Sequence, residues 1–386
     1  MNKKIVSLRK RAAKNQIDIY PQAEALLANL GVAGSSSAMR DAYKILALCG
    51  CVSNSPIKLK RGITPQGQEL GRVEGIEKCL HPLCPYCGPE SLLINHAALC
   101  SQMDLLRKSD HLGSCTTYAG AFTSQHRSGD SLPGLNLLLR GAESSFRQTP
   151  LAKQLVLGWV SATEATTGSK WGNGAHIHTQ HFYTLNGTDT QAHAKLWAEA
   201  EGHFREYFDR HSLEVIGSHR RVIWKPDWIS CEGVGLTGFY GRNPATDWNL
   251  LKEVTHGNIK NGGVWSALTA QEFAEYMPAV SQGLVSVGGC WVPALKPGSV
   301  LAGEVVASIK SETWNQLHPA SKRMIRTVVM SPEYWTNREV EAYAEFTYLD
   351  LPAWRIDEVI KDRFNFDCAC LPGRGQTPPD AQAIIW

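Results

Sequence analysis

The run KQLVLGWVSATEATTGSKWGNGAHIHTQHFYTL, Lys153 to Leu185, limits what this chain can fold into more than any other stretch. Two segments rich in Val, Thr and aromatic residues flank Asn173-Gly174, a pair suited to a tight β-turn. The pattern predicts a long antiparallel hairpin, and an isolated hairpin is not stable until other elements cover one of its faces. Three histidines also fall within six residues of the second strand. Alternate side chains of an extended chain share a face. Ala175, Ile177 and Thr179 then point one way and His176, His178 and Gln180 the other, with His181 back on the first face.

The flanking sequence supplies the missing elements. CTTYAGAFTS, from Cys115, reads as a strand and SLPGLNLLLRGAESSFRQ as a helix; then come the hairpin strands, from Lys153 and from Ala175. DTQAHAKLWAEAEGHFREYFDRH carries Leu196, Ala200, Phe204 and Phe208 on one stripe, the mark of an amphipathic helix. RRVIWKPDWI is a further strand and GVGLTGFYGR a short helix. The order β-α-β-β-α-β predicts an α+β fold of the ferredoxin-like, split βαβ type, an antiparallel sheet of four or five strands with helices on one face. Many functions use that topology, so it decides none.

Side chains on the hairpin suggest chemistry. Two imidazoles and an amide in a row offer nitrogen and oxygen donors for a divalent metal, and Glu164, across the turn from His176 or His178, adds a carboxylate. Such a set with open positions suits Mg²⁺ or Mn²⁺ and a phosphate substrate. The plainer alternative is a polar strand face bonded to neighbours and water. Tyr240 closes GLTGFYGRN beside Phe239. A phenol of pKa ~10 attacks poorly unless a metal or base assists it.

Eleven cysteines, an odd and clustered set, favour metal binding over a disulfide framework. In KCLHPLCPYCGPE the Cys84-x2-Cys87 spacing lets two thiolates reach one tetrahedral zinc. Cys79 is the third expected ligand. Cys49 or Cys51 is the fourth, with His81 and Cys100 in reserve. Four thiolates would close the site and make it structural.

With 43% hydrophobic and 19% charged residues the chain can build a sizeable core. A net charge of +3 gives no global field. The opening segment is nonetheless wholly basic, with Lys3, Lys4, Arg9, Lys10, Arg11 and Lys14, and suits phosphate contact. No apolar signal-peptide core follows it, and the most apolar later stretch is interrupted by Lys296 and two prolines. These features predict a cytoplasmic protein that does not span a membrane. Four regions are expected: a basic helical segment over 1–48, a zinc knuckle and helix over 49–110, a core over 111–285 and a C-terminal extension over 286–386.

Taken in order, the motifs resemble the rolling-circle replication initiators of bacterial plasmids and phages, members of the His-hydrophobic-His (HUH) single-strand endonucleases. The likeness covers about residues 45–285. LCGCV followed by KCLHPLCPYC is similar to the cysteine knuckle before that family's core, and FTSQHRSGDSL resembles its first core motif. ATEATTGSKWGNGAHIH is similar to the Glu-x-Thr hairpin leading to the metal histidines. GFYGRNPATDWNLLKEVTHGNIKNGG resembles the tyrosine motif and its downstream signature.

The resemblance implies that Tyr240 attacks a phosphodiester of single-stranded or cruciform origin DNA in the bacterial cytoplasm. A 5′-phosphotyrosyl link and a free 3′-hydroxyl would result, for a host helicase and DNA polymerase to use. His176 and His178 would hold Mg²⁺ or Mn²⁺ with Glu164. Counting from Asn173-Gly174 would select His178 and Gln180 instead; His176 and His178 are preferred because Ile177 supplies the hydrophobic middle residue, and Gln180 is kept in reserve. Asn243 replaces the family's usual lysine three residues after the tyrosine, and Arg242 beside it is the substitute charge. Two other readings remain: a non-catalytic zinc-dependent DNA-binding protein, and an HUH transposase or relaxase. In relaxases the tyrosine commonly precedes the histidine pair; here it follows.

Overall fold

The computed structural model describes residues 23–63 (less 24 and 33), 69–108, 115–167 (less 125, 126 and 128), 175–219, 222–224, 264–292 (less 266, 267, 282 and 283), 304–330 and 347–364. The fold is α+β with two antiparallel sheets.

The larger sheet has the order β6-β3-β5-β4-β7, where β3 is Cys115–Ser124, β4 Val156–Thr167, β5 Ala175–Asn186, β6 Val222–Trp224 and β7 Val285–Gly289. Helix α3 (Leu132–Phe146) lies between β3 and β4 in the chain, and α5 (Thr190–Ile216) between β5 and β6. Without β7, the four strands run fourth-first-third-second, the order of two interleaved β-α-β halves. The hairpin is regular from Gly158 on, and Glu164 stands directly opposite His178, Ala162 opposite Gln180.

Local sequence explains the helix limits. Asp189 caps α5 by accepting from the backbone N–H groups of Gln191 and Ala192, and Gly217, in the left-handed region at φ 72°, ends it. The stripe Leu196, Ala200, Phe204 and Phe208 is fully buried. Phe204 stacks on Phe122 of β3 at 3.8 Å, and Trp197 meets Tyr118 and Tyr183 edge-on, so α5 covers the face bearing Ile177, Thr179 and His181. One boundary differs from expectation. Lys153–Leu155 form the end of helix α4 (Pro150–Leu155) rather than the start of β4, because Thr149 caps a helix whose first residue is proline.

The smaller sheet, β2-β1-β8, joins β1 (Ile57–Ile63), β2 (Glu69–Glu74) and β8 (Glu304–Ile309). The region 49–110, read from the sequence as a zinc knuckle and helix, contributes β1 and β2, and the C-terminal extension, 286–386, contributes β8. Ile57, Leu59 and Val73 form a second core with Ile309 and Trp314, with Ile325 of α8 (Pro319–Met330), and with Ile356 and Ile360 of α9 (Ala353–Phe364). Among the described residues no helix is long and apolar enough to cross a membrane.

Candidate metal centres

The knuckle forms where the chain enters α2 (Cys87–Lys108). The backbone N–H of Cys84 donates to His81 O and that of Gly88 to Cys84 O, a tight turn that aims both x2 sulfurs inward. Cys49, at the end of α1 (Ser37–Leu48), completes the set. The ligand atoms of Cys49, Cys79, Cys84 and Cys87 all lie within 4.8 Å of one another, so the four can hold a metal ion. Hydrogen bonds from Cys79, Cys84 and Cys87 hold the Cys49 thiol far below its usual range, and the charge of Arg326 adds to this.

The reserve ligands turn elsewhere. Cys51 Sγ lies 3.1 Å from Ala47 O and burial pushes its thiol up. Cys100 Sγ faces His96 Nε2 at 3.5 Å. His81 accepts the N–H of Leu83 at Nδ1 and lies 3.1 Å from Met277 O through Nε2, bracing the knuckle from outside.

The second cluster lies on the sheet face that α3 and α5 leave free. Glu164 Oε2 is 2.9 Å from His178 Nε2 and accepts from Gln180 Nε2 at 2.8 Å. Cross-strand register makes this contact: opposed residues of an antiparallel pair bring their side chains together. Glu164 is 3% exposed and Gln180 5%, while the His178 side chain retains 16%. The cluster is therefore recessed, with histidine toward solvent. Glu164 Oε1 and Gln180 Oε1 are buried and have no hydrogen-bond partner among the described residues. Buried polar atoms are nearly always satisfied, and an orphan calls for an explanation. Two unsatisfied oxygens beside an imidazole nitrogen are the donor set of a hard or borderline divalent cation.

The outcome for the expected ligands follows. His178, Gln180 and Glu164 converge. His176 pairs with Thr166 along the same hairpin, but its side chain lies outside the described residues. Tyr240, Arg242, Lys3, Lys4, Arg9, Lys10 and Arg11 also lie outside them. Tyr183, close to the core in sequence, is on the opposite face, buried among helices, and burial drives its phenol far up. A pocket of about 180 Å³ is lined by Leu80, Pro82, Leu92, Asn95, Leu284 and Val285, and by none of the three cluster residues. Val285 pairs with Ala162, two residues from Glu164 on β4.

Sequence reasoning missed a third polar cluster, beneath the sheet. Ser161 donates to Glu143 Oε2 at 3.1 Å, and Arg147 pairs with Glu143 Oε1. His181 Nδ1 stands 3.2 Å from the same oxygen, at ion-pair distance but off the line of a hydrogen bond. Burial raises the Glu143 carboxyl, but the charges of His181 and Arg147 outweigh it and hold the carboxyl below its usual range. The signal in the sequence was His181 returning to the apolar face of β5, where a buried imidazole needs a partner. No family model, no curated protein and no solved structure matches this chain.

Proposed function

We propose that this protein is a replication initiator of the HUH type, a metal-assisted endonuclease that nicks single-stranded origin DNA and remains joined to the 5′ end. One observation carries the reading: Glu164, His178 and Gln180 meet on the sheet face away from α3 and α5, with two buried oxygens left unsatisfied among the described residues. The strand order supports it, since an interleaved β-α-β-β-α-β sheet is what the resemblance requires.

Glu164, His178 and Gln180 would hold Mg²⁺ or Mn²⁺, which when bound polarises a phosphodiester and stabilises charge on its oxygens. This reading takes His178 and Gln180 with Glu164, the donors that converge among the described residues, while the side chain of His176, the ligand expected from the sequence, lies outside them. The Tyr240 oxygen forms the bond to phosphorus as the bond to the 3′-oxygen breaks. The phenol gives up its proton and the departing 3′-oxygen takes one, leaving a 5′-phosphotyrosyl ester and a free 3′-hydroxyl. The cysteine knuckle would hold structural Zn²⁺. The basic arm, Lys3 to Arg11, and Arg242 would contact phosphates, and a host helicase and polymerase would act on the nicked product.

Single-stranded DNA from the replicon that encodes this protein tests the reading. With Mn²⁺ it should become attached to the wild type through a bond that survives denaturation. Tyr240→Phe removes one oxygen and should abolish the adduct while leaving DNA binding within about twofold, because affinity comes from phosphate contacts and stacking. Binding without any adduct in the wild type would favour the non-catalytic DNA-binding reading.

A further inference from the structure

Helix α8 carries three basic residues into the interior: Lys322, Arg323 and Arg326 are 4%, 3% and 1% exposed. Lys322 Nζ donates to the carbonyl oxygens of Cys51 and Asn315, at 2.8 and 3.2 Å. Arg326 reaches the knuckle itself. Its Nη1 donates to Cys49 O at 3.2 Å and to Cys49 Sγ at 3.4 Å, and its Nη2 to Cys87 Sγ at 3.6 Å. The guanidinium also lies over the Tyr86 ring, 5.2 Å from its centre.

A guanidinium cannot shed its proton, so it must be paired when buried. Among the described residues the charge of Arg326 meets sulfur and no carboxylate. Neutral thiols would leave it uncompensated; metal-bound thiolates would not. Four thiolates around one Zn²⁺ carry a net charge of −2, itself costly to bury, and one adjacent arginine halves it. The neighbouring chain is shaped for this contact. Gly50 sits at φ +73°, and a Cβ there would come within 2.3 Å of Arg326 Nη1. Gly50 O accepts from Trp314 Nε1 at 3.1 Å, and Trp314 belongs to the core of the smaller sheet.

We propose that Arg326 is the outer-shell charge partner of a zinc-loaded knuckle, and that metal occupancy thereby locks α8 and the β2-β1-β8 sheet onto the central core. The inference rests on zinc filling the knuckle; nicking plays no part in it. Metal at the knuckle organises chain more than 200 residues away in sequence, from Glu304 to Met330.

The test compares wild type, Arg326→Met and Arg326→Lys as full-length zinc proteins. Arg326→Met should release zinc to a chelator at least about tenfold faster, the usual scale for an outer-shell partner. Its Co²⁺-substituted form should show a shifted sulfur-to-metal charge-transfer band. Hydrogen exchange over 304–330 should accelerate in Arg326→Met and in zinc-stripped wild type, with Arg326→Lys between. An Arg326→Met protein with wild-type release rate and Co²⁺ spectrum overturns the proposal. If that variant does not fold, Arg326→Gln takes its place, because it also removes the charge, and wild-type values there overturn the proposal equally. A wild type with no zinc overturns both this inference and the zinc assignment; unchanged variants of a zinc-bearing wild type overturn this inference alone.

Discussion

At the knuckle four sulfurs converge in a buried site, and an arginine closes over two of them. On the central sheet Glu164, His178 and Gln180 also converge, but two oxygens have no partner among the described residues and the His178 side chain keeps 16% of its exposure. Both places collect metal-ligand side chains. The first satisfies its donors internally and joins two cores; the second, among the described residues, leaves capacity unused in a recess. Closed sites contribute folding free energy, while open ones keep positions for water or substrate. On the reading proposed above, one cluster supplies stability and the other chemistry, and that contrast can be broken by experiment.

The largest effect should follow Cys84→Ser. Cys84 is fully buried, and a hydroxyl is a far poorer zinc ligand than a thiolate. Zinc content should fall below one per chain, and the knuckle with the β2-β1-β8 sheet should unfold before the rest, visible as a split thermal transition. A variant that keeps its zinc and one transition would erase the contrast.

Glu143→Gln comes next, because it leaves Arg147 without its buried counter-charge. Breaking such a pair costs about 3–5 kcal/mol. The native Glu143 carboxyl is held below its unfolded value, so its stabilisation is complete above the unfolded carboxyl pKa, ~4.3. It is lost as pH falls through the lower, folded pKa. Urea unfolding should therefore show a wide gap between wild type and variant at pH 7 that narrows below pH 4. A constant gap would mean that the carboxylate is not the stabilising species.

The smallest effect on stability should come from Glu164→Gln. It removes a charge whose Oε1 makes no hydrogen bond among the described residues, so the change should stay within about 1 kcal/mol while the proposed nicking falls at least about a hundredfold. A loss as large as that of Glu143→Gln would place Glu164 with the structural clusters.

Much of this contrast was legible in the residues. The threonine- and aromatic-rich runs located β3 and β5, and strand alternation put His178 and Gln180 on the face opposite His181. The x2 spacing selected Cys84 and Cys87. Choosing Cys49 over Cys51 required the fold, since both are within reach in sequence and only the turn after α1 decides which sulfur faces inward. The smaller sheet was hidden for a different reason: β1 is seven residues long, and its partner β8 lies some 240 residues away. Local pattern carries no trace of such pairing. Arg326 was hidden because basic residues on a helix usually face solvent. The usable signal was Lys322, Arg323 and Arg326 grouped at helical spacing with no acid between them.

A metal titration tests the central claim most directly. Full-length zinc-loaded protein should bind one exchangeable Mn²⁺ per chain, read by electron paramagnetic resonance, without displacing zinc. The double variant Glu164→Gln, His178→Ala should lose that Mn²⁺ and keep its zinc and its melting temperature within a few degrees. Mn²⁺ binding that is absent from the wild type, or unchanged in the double variant, would contradict the assignment of the open cluster as a metal centre.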